Sequence, residues 1–108
     1  KEEKAMEKKV IIITGASRGI GREIAKTLAQ EGHTVIANYN KSEEQAKQLK
    51  KELEEKGKEI EIYKADVSKE EECKKIVEYT IKKYKKIDVL INNAGIDKLQ
   101  LIIKTGTI

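Results

Sequence analysis

Apolar positions recur along this chain in two alternating rhythms, one of strands and one of helices. Val10–Thr14 is a nearly continuous apolar run, the pattern of a parallel strand covered on both faces. Ile20, Ile24 and Leu28 then recur every four residues with Ala25 and Ala29 beside them. This spacing predicts an amphipathic helix over Ile20–Gln30, closed by Gly32. Thr34–Asn38 returns to strand. Ser42-Glu43-Glu44-Gln45 has the form of a capping box and opens a helix to about Lys56, ahead of Gly57. Ile60–Lys64 reads as a third strand, with Ile60 and Ile62 alternating against Glu59 and Glu61. Ser68-Lys69-Glu70-Glu71 is a second capping box, and Cys73, Ile76, Val77, Ile81 and Tyr84 mark one face of a helix reaching about Lys83. Ile87–Ile91 is a fourth strand, and Asn92-Asn93-Ala94-Gly95 is a turn.

The resulting βαβαβαβ order predicts an α/β, Rossmann-type parallel sheet with strand order 3-2-1-4 and helices on both faces, a truncated form of the doubly wound fold. Residues 1–7 read as a charged N-terminal tail, 8–96 as one Rossmann-type domain and 97–108 as a tail of ambiguous periodicity. Too few residues separate Gly95 from Leu99 for a parallel crossover. The apolar run Leu99–Ile103 should therefore fold back antiparallel, form a short helix or pair with another chain; the last, or a disordered tail, is the expectation. A homo-oligomer is one expectation, because Val89–Ile91 is left near a sheet edge.

Composition narrows the function classes. Charged residues make up 39% of the chain, yet the net charge is only +4 because Lys and Glu alternate at helical intervals. That pattern describes solvated helix faces and argues against a nucleic-acid surface. The four aromatics are all Tyr and offer no platform for base stacking. Cys73 is the single cysteine, so an internal disulfide is excluded, and no His/Cys/Asp cluster has metal-ligand spacing. No run approaches signal-peptide or membrane-spanning length, so a cytoplasmic location without membrane partners is expected. His33, the lone histidine, reads as a turn residue after Gly32.

The chemistry concentrates at the first strand–helix junction. Gly15, Gly19 and Gly21 follow the spacing TG-x-x-x-G-x-G. Gly15 permits a sharp turn off the strand, while Gly19 and Gly21 remove side chains where a phosphate and neighbouring backbone approach. The helix that follows aims its amide dipoles at negative charge. A glycine triplet alone is often only a turn, but here strand and helix flank it. A site selective for NAD usually carries an acidic side chain at the end of the second strand. That place is held by Asn38, Tyr39 or Asn40, none acidic, and Arg18 and Lys41 stand ready for a 2′-phosphate. NADP(H) is therefore expected over NAD(H).

Thr14-Gly15-Ala16-Ser17-Arg18-Gly19-Ile20-Gly21, with Asp66-Val67 after the third strand and Asn92-Asn93-Ala94-Gly95 after the fourth, resembles the motif set of the short-chain dehydrogenase/reductase family. Within it the chain is most similar to the 3-oxoacyl-[acyl-carrier-protein] reductases. The resemblance runs from about Lys8 to Ile96 and corresponds to the N-terminal part of a typical member. It implies NADPH-dependent reduction of a ketone in lipid synthesis. It also implies that Gly15, Ser17, Arg18, Gly19, Ile20 and Gly21 surround the pyrophosphate and adenosine ribose. Asp66 would accept from the adenine amino group with Val67 supplying backbone. Asn92, Ala94 and Gly95 would line the cleft, and Asn93 would tie the fourth strand to its neighbours.

The family's catalytic Ser and Tyr-x-x-x-Lys lie well beyond the Asn-Asn-Ala-Gly turn, and the sequence after Gly95 contains neither Ser nor Tyr. Tyr79-x-x-x-Lys83 matches the spacing literally but precedes the fourth strand. It reads as surface helix, away from the strand C-termini that define a cofactor cleft. No catalytic residue is assigned. A reductase whose catalytic half is supplied elsewhere and a nucleotide-binding module or engineered fold fragment without turnover both remain open.

Overall fold

The computed structural model describes residues 8–93. Four consecutive β-branched residues build the central strand β1 (Val10–Ile13), buried along its whole length. It is followed by α1 (Gly19–Gln30), β2 (Thr34–Tyr39), α2 (Glu43–Glu55), β3 (Ile60–Lys64), α3 (Glu70–Tyr84) and β4 (Val89–Ile91). The sheet is wholly parallel in the order β3-β2-β1-β4, as the pattern predicts. β1 and β4 are shorter than the predicted strands, and β2 extends one residue further, through Tyr39.

Period-two alternation along β1 feeds two separate cores. Ile11 and Ile13 pack with Ala25 and Ala29 of α1 and Leu49 and Leu53 of α2 on one face. Val10 and Ile12 pack with Cys73, Ile76 and Val77 of α3 on the other. Helices therefore cover both faces, which is why β1 and β2 carry apolar residues at successive positions. Of the apolar stripe predicted for α3, Cys73, Ile76 and Val77 are buried together with Thr80, and Ile81 and Tyr84 are half-buried against the same core.

Neither predicted capping box forms. Ser42 occupies the N-cap of α2 without a side-chain cap bond, because its backbone (φ −92°, ψ 61°) departs from the extended geometry that aims the hydroxyl at the helix amides. At α3 the N-cap is Lys69 rather than Ser68. The Ser68 hydroxyl instead donates to Asp66 Oδ1 at 2.6 Å. His33 is also more than a turn residue. It is buried, and its Nδ1 accepts the Lys9 amide at 3.1 Å, holding the entry of β1 against that of β2. The predicted tails, 1–7 and 97–108, lie outside the described residues.

Candidate functional site

The C-terminal ends of the strands form a continuous crest, held by a few polar side chains. Asn38, at the penultimate position of β2, is buried. Its Oδ1 accepts the Gly15 amide at 3.2 Å, and its Nδ2 donates to the carbonyls of Ala65 at 3.0 Å and Tyr63 at 3.3 Å. One amide side chain thus joins the turns after β1 and β3. Asn92 Oδ1 accepts from the Thr14 hydroxyl, and Asn93 Nδ2 donates to the Gly15 carbonyl at 3.0 Å. The turn after β4 is locked onto the turn after β1.

Gly15 leaves β1 with φ +62°, and Gly19 has φ +64° with open space where a Cβ would stand. Gly21 is absent of side chain for a different reason. A Cβ there would overlap the Gly15 carbonyl oxygen and lie 2.7 Å from Asn93 Nδ2. Its role is close packing of helix against strand.

The N-terminus of α1 is unlike those of its neighbours. α2 begins with Glu43 and Glu44, and α3 with Glu70, Glu71 and Glu72. α1 has no acidic residue in its first turn, and Arg18 at its N-cap makes no side-chain cap bond. The amides of Gly19, Ile20 and Gly21 precede the first intrahelical donor, Arg22, which bonds the Arg18 carbonyl. Helix dipole, uncapped amides and the exposed Arg18 side chain together form a donor set suited to a phosphate. That donor set fits an anionic dinucleotide, with which no protein carboxylate competes in the first turn.

The remaining sequence candidates divide. Tyr39 is buried, whereas Asn40 and Lys41 are exposed at the crest. Asp66 Oδ1 accepts the Ser68 amide at 3.0 Å and the Ser68 hydroxyl, which hold its carboxyl below the ordinary value, aided by Lys69 and Lys41. It is therefore an ionised acceptor on the same rim as Lys41. The Asp66 amide donates to Glu72 Oε1 at 2.6 Å, a contact the motif reading did not include. Val67 is buried against α3. Among the described residues Ile20 is the large apolar side chain left most open, at 74% exposure beside the glycine loop. Ala94 and Gly95 lie outside the described residues.

Tyr79 and Lys83 lie on α3, which packs on one face of the sheet. Lys83 pairs at 2.6 Å with Glu61, near the start of β3. Tyr79 is half-buried with its ring 4.9 Å from that of Tyr63, so it packs against the sheet rather than lying free on the surface. Among the described residues no group of His, Cys, Asp or Glu is placed to hold a metal, and no helix is long and apolar enough to cross a membrane.

A parallel 3-2-1-4 sheet with a glycine turn at the end of its first strand defines a Rossmann-type domain. The short chain dehydrogenase family matches residues 9–106, and the chain belongs to that family. It is 42% identical over 96 residues to the 3-oxoacyl-[acyl-carrier-protein] reductase of Staphylococcus epidermidis, covering 89% of this chain and 39% of that protein. The Staphylococcus aureus reductase of the same name is 40% identical over the same shares. Among solved structures, a dehydrogenase/reductase from Sinorhizobium meliloti superposes with a TM-score of 0.77 at 32% identity, over 82% of this chain and 35% of that one. A hydroxysteroid dehydrogenase from Escherichia coli gives 0.72 at 33% identity, over 78% and 35%. The chain thus spans about two fifths of the length of the curated relatives it matches.

Proposed function

We propose that this chain binds a nicotinamide dinucleotide along the crest, NADP(H) in preference to NAD(H). We read it as the cofactor-binding part of a reductase acting on a ketone such as a 3-oxoacyl group on an acyl carrier protein. The observation that carries this reading is the N-terminus of α1, with no acidic first turn and no side-chain cap, directly above the glycine turn. The names of the relatives support the reaction class and the substrate.

In this reading Gly15, Ser17, Gly19, Ile20 and Gly21 receive the pyrophosphate and adenosine ribose on backbone amides. Arg18, Asn40 and Lys41 face the 2′-phosphate, with Tyr39 and Asn38 supporting them from within. Asp66 accepts from the adenine amino group beside Val67, and Asn92, Ala94 and Gly95 line the cleft toward the nicotinamide. When bound, the reduced nicotinamide supplies a hydride. A cytoplasmic setting accords with the absence of a membrane-spanning helix among the described residues. Self-association accords with the exposed Ile20 and half-buried β4, and light scattering tests it.

Binding without turnover is the competing reading, favoured by one observation. The chain's single Tyr-x-x-x-Lys, Tyr79 to Lys83, is carried on α3, with Lys83 paired to Glu61 near the start of β3 and Tyr79 packed on Tyr63, rather than at the turns after β1 and β4. Fluorescence titration of the chain with NADPH, and separately with NADH, tests the cofactor reading: saturable binding that favours NADPH is expected, and binding of neither overturns it. A ketone-dependent loss of NADPH absorbance separates turnover from binding alone.

A further inference from the structure

We propose that Arg22 is a positioning residue that sets the spacing between the glycine loop and α2, and thereby the preference for a 2′-phosphate. This inference rests on the cofactor reading above. Arg22 is the fourth residue of α1, just beyond the motif glycines. Its Nη1 donates to the carbonyl of Ser17 at 3.3 Å and to that of Gln45 at 2.9 Å. Its Nη2 donates to Glu52 Oε1 at 3.3 Å. Ser17 belongs to the glycine loop and Gln45 to the first turn of α2, so one planar group bridges them.

Those two segments flank the space where the 2′-phosphate would sit. Arg18 follows Ser17 directly, and Lys41 lies four residues before Gln45. A shift of α2 relative to the loop would separate Arg18 from Lys41 without altering either residue. The bridge needs a guanidinium, because its fork holds donors in fixed directions, whereas an ammonium is a point charge on a flexible stem. A cation in the first turn of a helix opposes the helix dipole. Glu52 offsets that cost, and it is itself held by Lys26 at 3.1 Å. The Arg22 side chain is only 20% exposed, which places the bridge partly out of solvent.

The test titrates NADPH and NADH into the wild-type chain, Arg22→Gln and Arg22→Lys, with thermal unfolding in parallel. Both variants are expected to lose about tenfold in NADPH affinity, the scale of one charge-assisted hydrogen bond, and distinctly less for NADH, so the NADPH:NADH ratio falls. A purely structural role weakens both dinucleotides alike, in step with the folded fraction, and that result would overturn the proposal. A ratio fully restored in Arg22→Lys would overturn it as well, because charge alone would then suffice. Arg22→Lys keeps charge and helix propensity, so the comparison stands where Arg22→Gln fails to fold. Wild-type binding with an unchanged ratio in both variants removes this inference alone. Absence of wild-type binding removes the cofactor reading and this inference together.

Discussion

Asn93 reaches from the end of β4 to donate its side-chain amide to the carbonyl of Gly15, at 3.0 Å, over a sequence separation of 78 residues. The same carbonyl blocks any Cβ at residue 21. Three segments of the motif set therefore meet at one backbone oxygen: the β1 turn, the start of α1 and the turn after β4. The motif residues shape one another before they meet any ligand.

Gly21→Ala should consequently damage both stability and binding. The added methyl overlaps backbone rather than a flexible side chain, so α1 must move off the β1 turn. Overpacking of this kind costs about 1–3 kcal/mol. Chemical denaturation should show a lower midpoint, and NADPH titration should show weaker binding even under conditions where the variant is fully folded. Unchanged values for both would mean that α1 slides without consequence.

Asn38→Ala isolates the crest from the loop. The change strands the Gly15 amide and removes a donor from the Ala65 and Tyr63 carbonyls; the bond to Ala65 is buried and the other two are partly buried. Leaving buried backbone groups unpaired costs about 1–3 kcal/mol for each group so affected. A loss of that order in unfolding free energy is expected, with residual binding in the folded fraction. A stability equal to wild type would show that water replaces the side chain without cost.

Much of this was legible in the sequence because periodicity reports burial directly. The four apolar residues of β1, Ala25 and Ala29 of α1 and the α3 face through Cys73, Ile76 and Val77 are buried where the pattern puts them, whereas Ile24 and Leu28 are half-buried and Ile20, at the loop end of the α1 stripe, is exposed. What the pattern hid is side-chain choice between nearby partners. Ser68 had the spacing of a cap but precedes the N-cap that α3 adopts, Lys69, and its hydroxyl donates to Asp66, two residues back. Asn38 read as one of three candidates at a cofactor rim, while its burial depends on β3 lying alongside, a contact between residues 25 or more apart. Arg22 carried no motif signal at all. Its partners, Ser17, Gln45 and Glu52, converge only after α1 and α2 pack side by side.

Asp88 links the entries of β1 and β4 and makes stability depend on acid. Its Oδ2 accepts the Val10 amide at 2.8 Å, and its own amide returns a bond to the Val10 carbonyl at 2.9 Å. The Val10 amide first, then Lys86, holds its carboxyl below the ordinary value of 3.8. A depressed carboxylate contributes stability that is complete above its unfolded pKa and is lost as pH falls through its folded pKa. Asp88→Asn should therefore lower the melting temperature at neutral pH, and the gap to wild type should close as the solution is acidified below the carboxylate range. A gap that is constant with pH would assign the loss to hydrogen-bond geometry rather than ionisation.

Arg18 offers the sharpest separation of the 2′-phosphate from the rest of the dinucleotide. It stands at the N-cap of α1 in extended conformation (φ −155°, ψ 172°), with its side chain exposed and making no cap bond. Asn is among the best residues for that position, so Arg18→Asn should be as stable as wild type or more stable, by up to about 1 kcal/mol. A new cap bond would compete with the pyrophosphate for helix amides, but it would weaken NADPH and NADH equally. Loss of the guanidinium removes a charge-assisted partner for the 2′-phosphate only, worth about 1.5–3 kcal/mol, or roughly tenfold to a hundredfold in affinity. The ratio of the two dissociation constants, measured by fluorescence titration, should shift by that factor toward NADH. If both constants move together, Arg18 serves the pyrophosphate, and discrimination falls to Asn40 and Lys41, directly after β2.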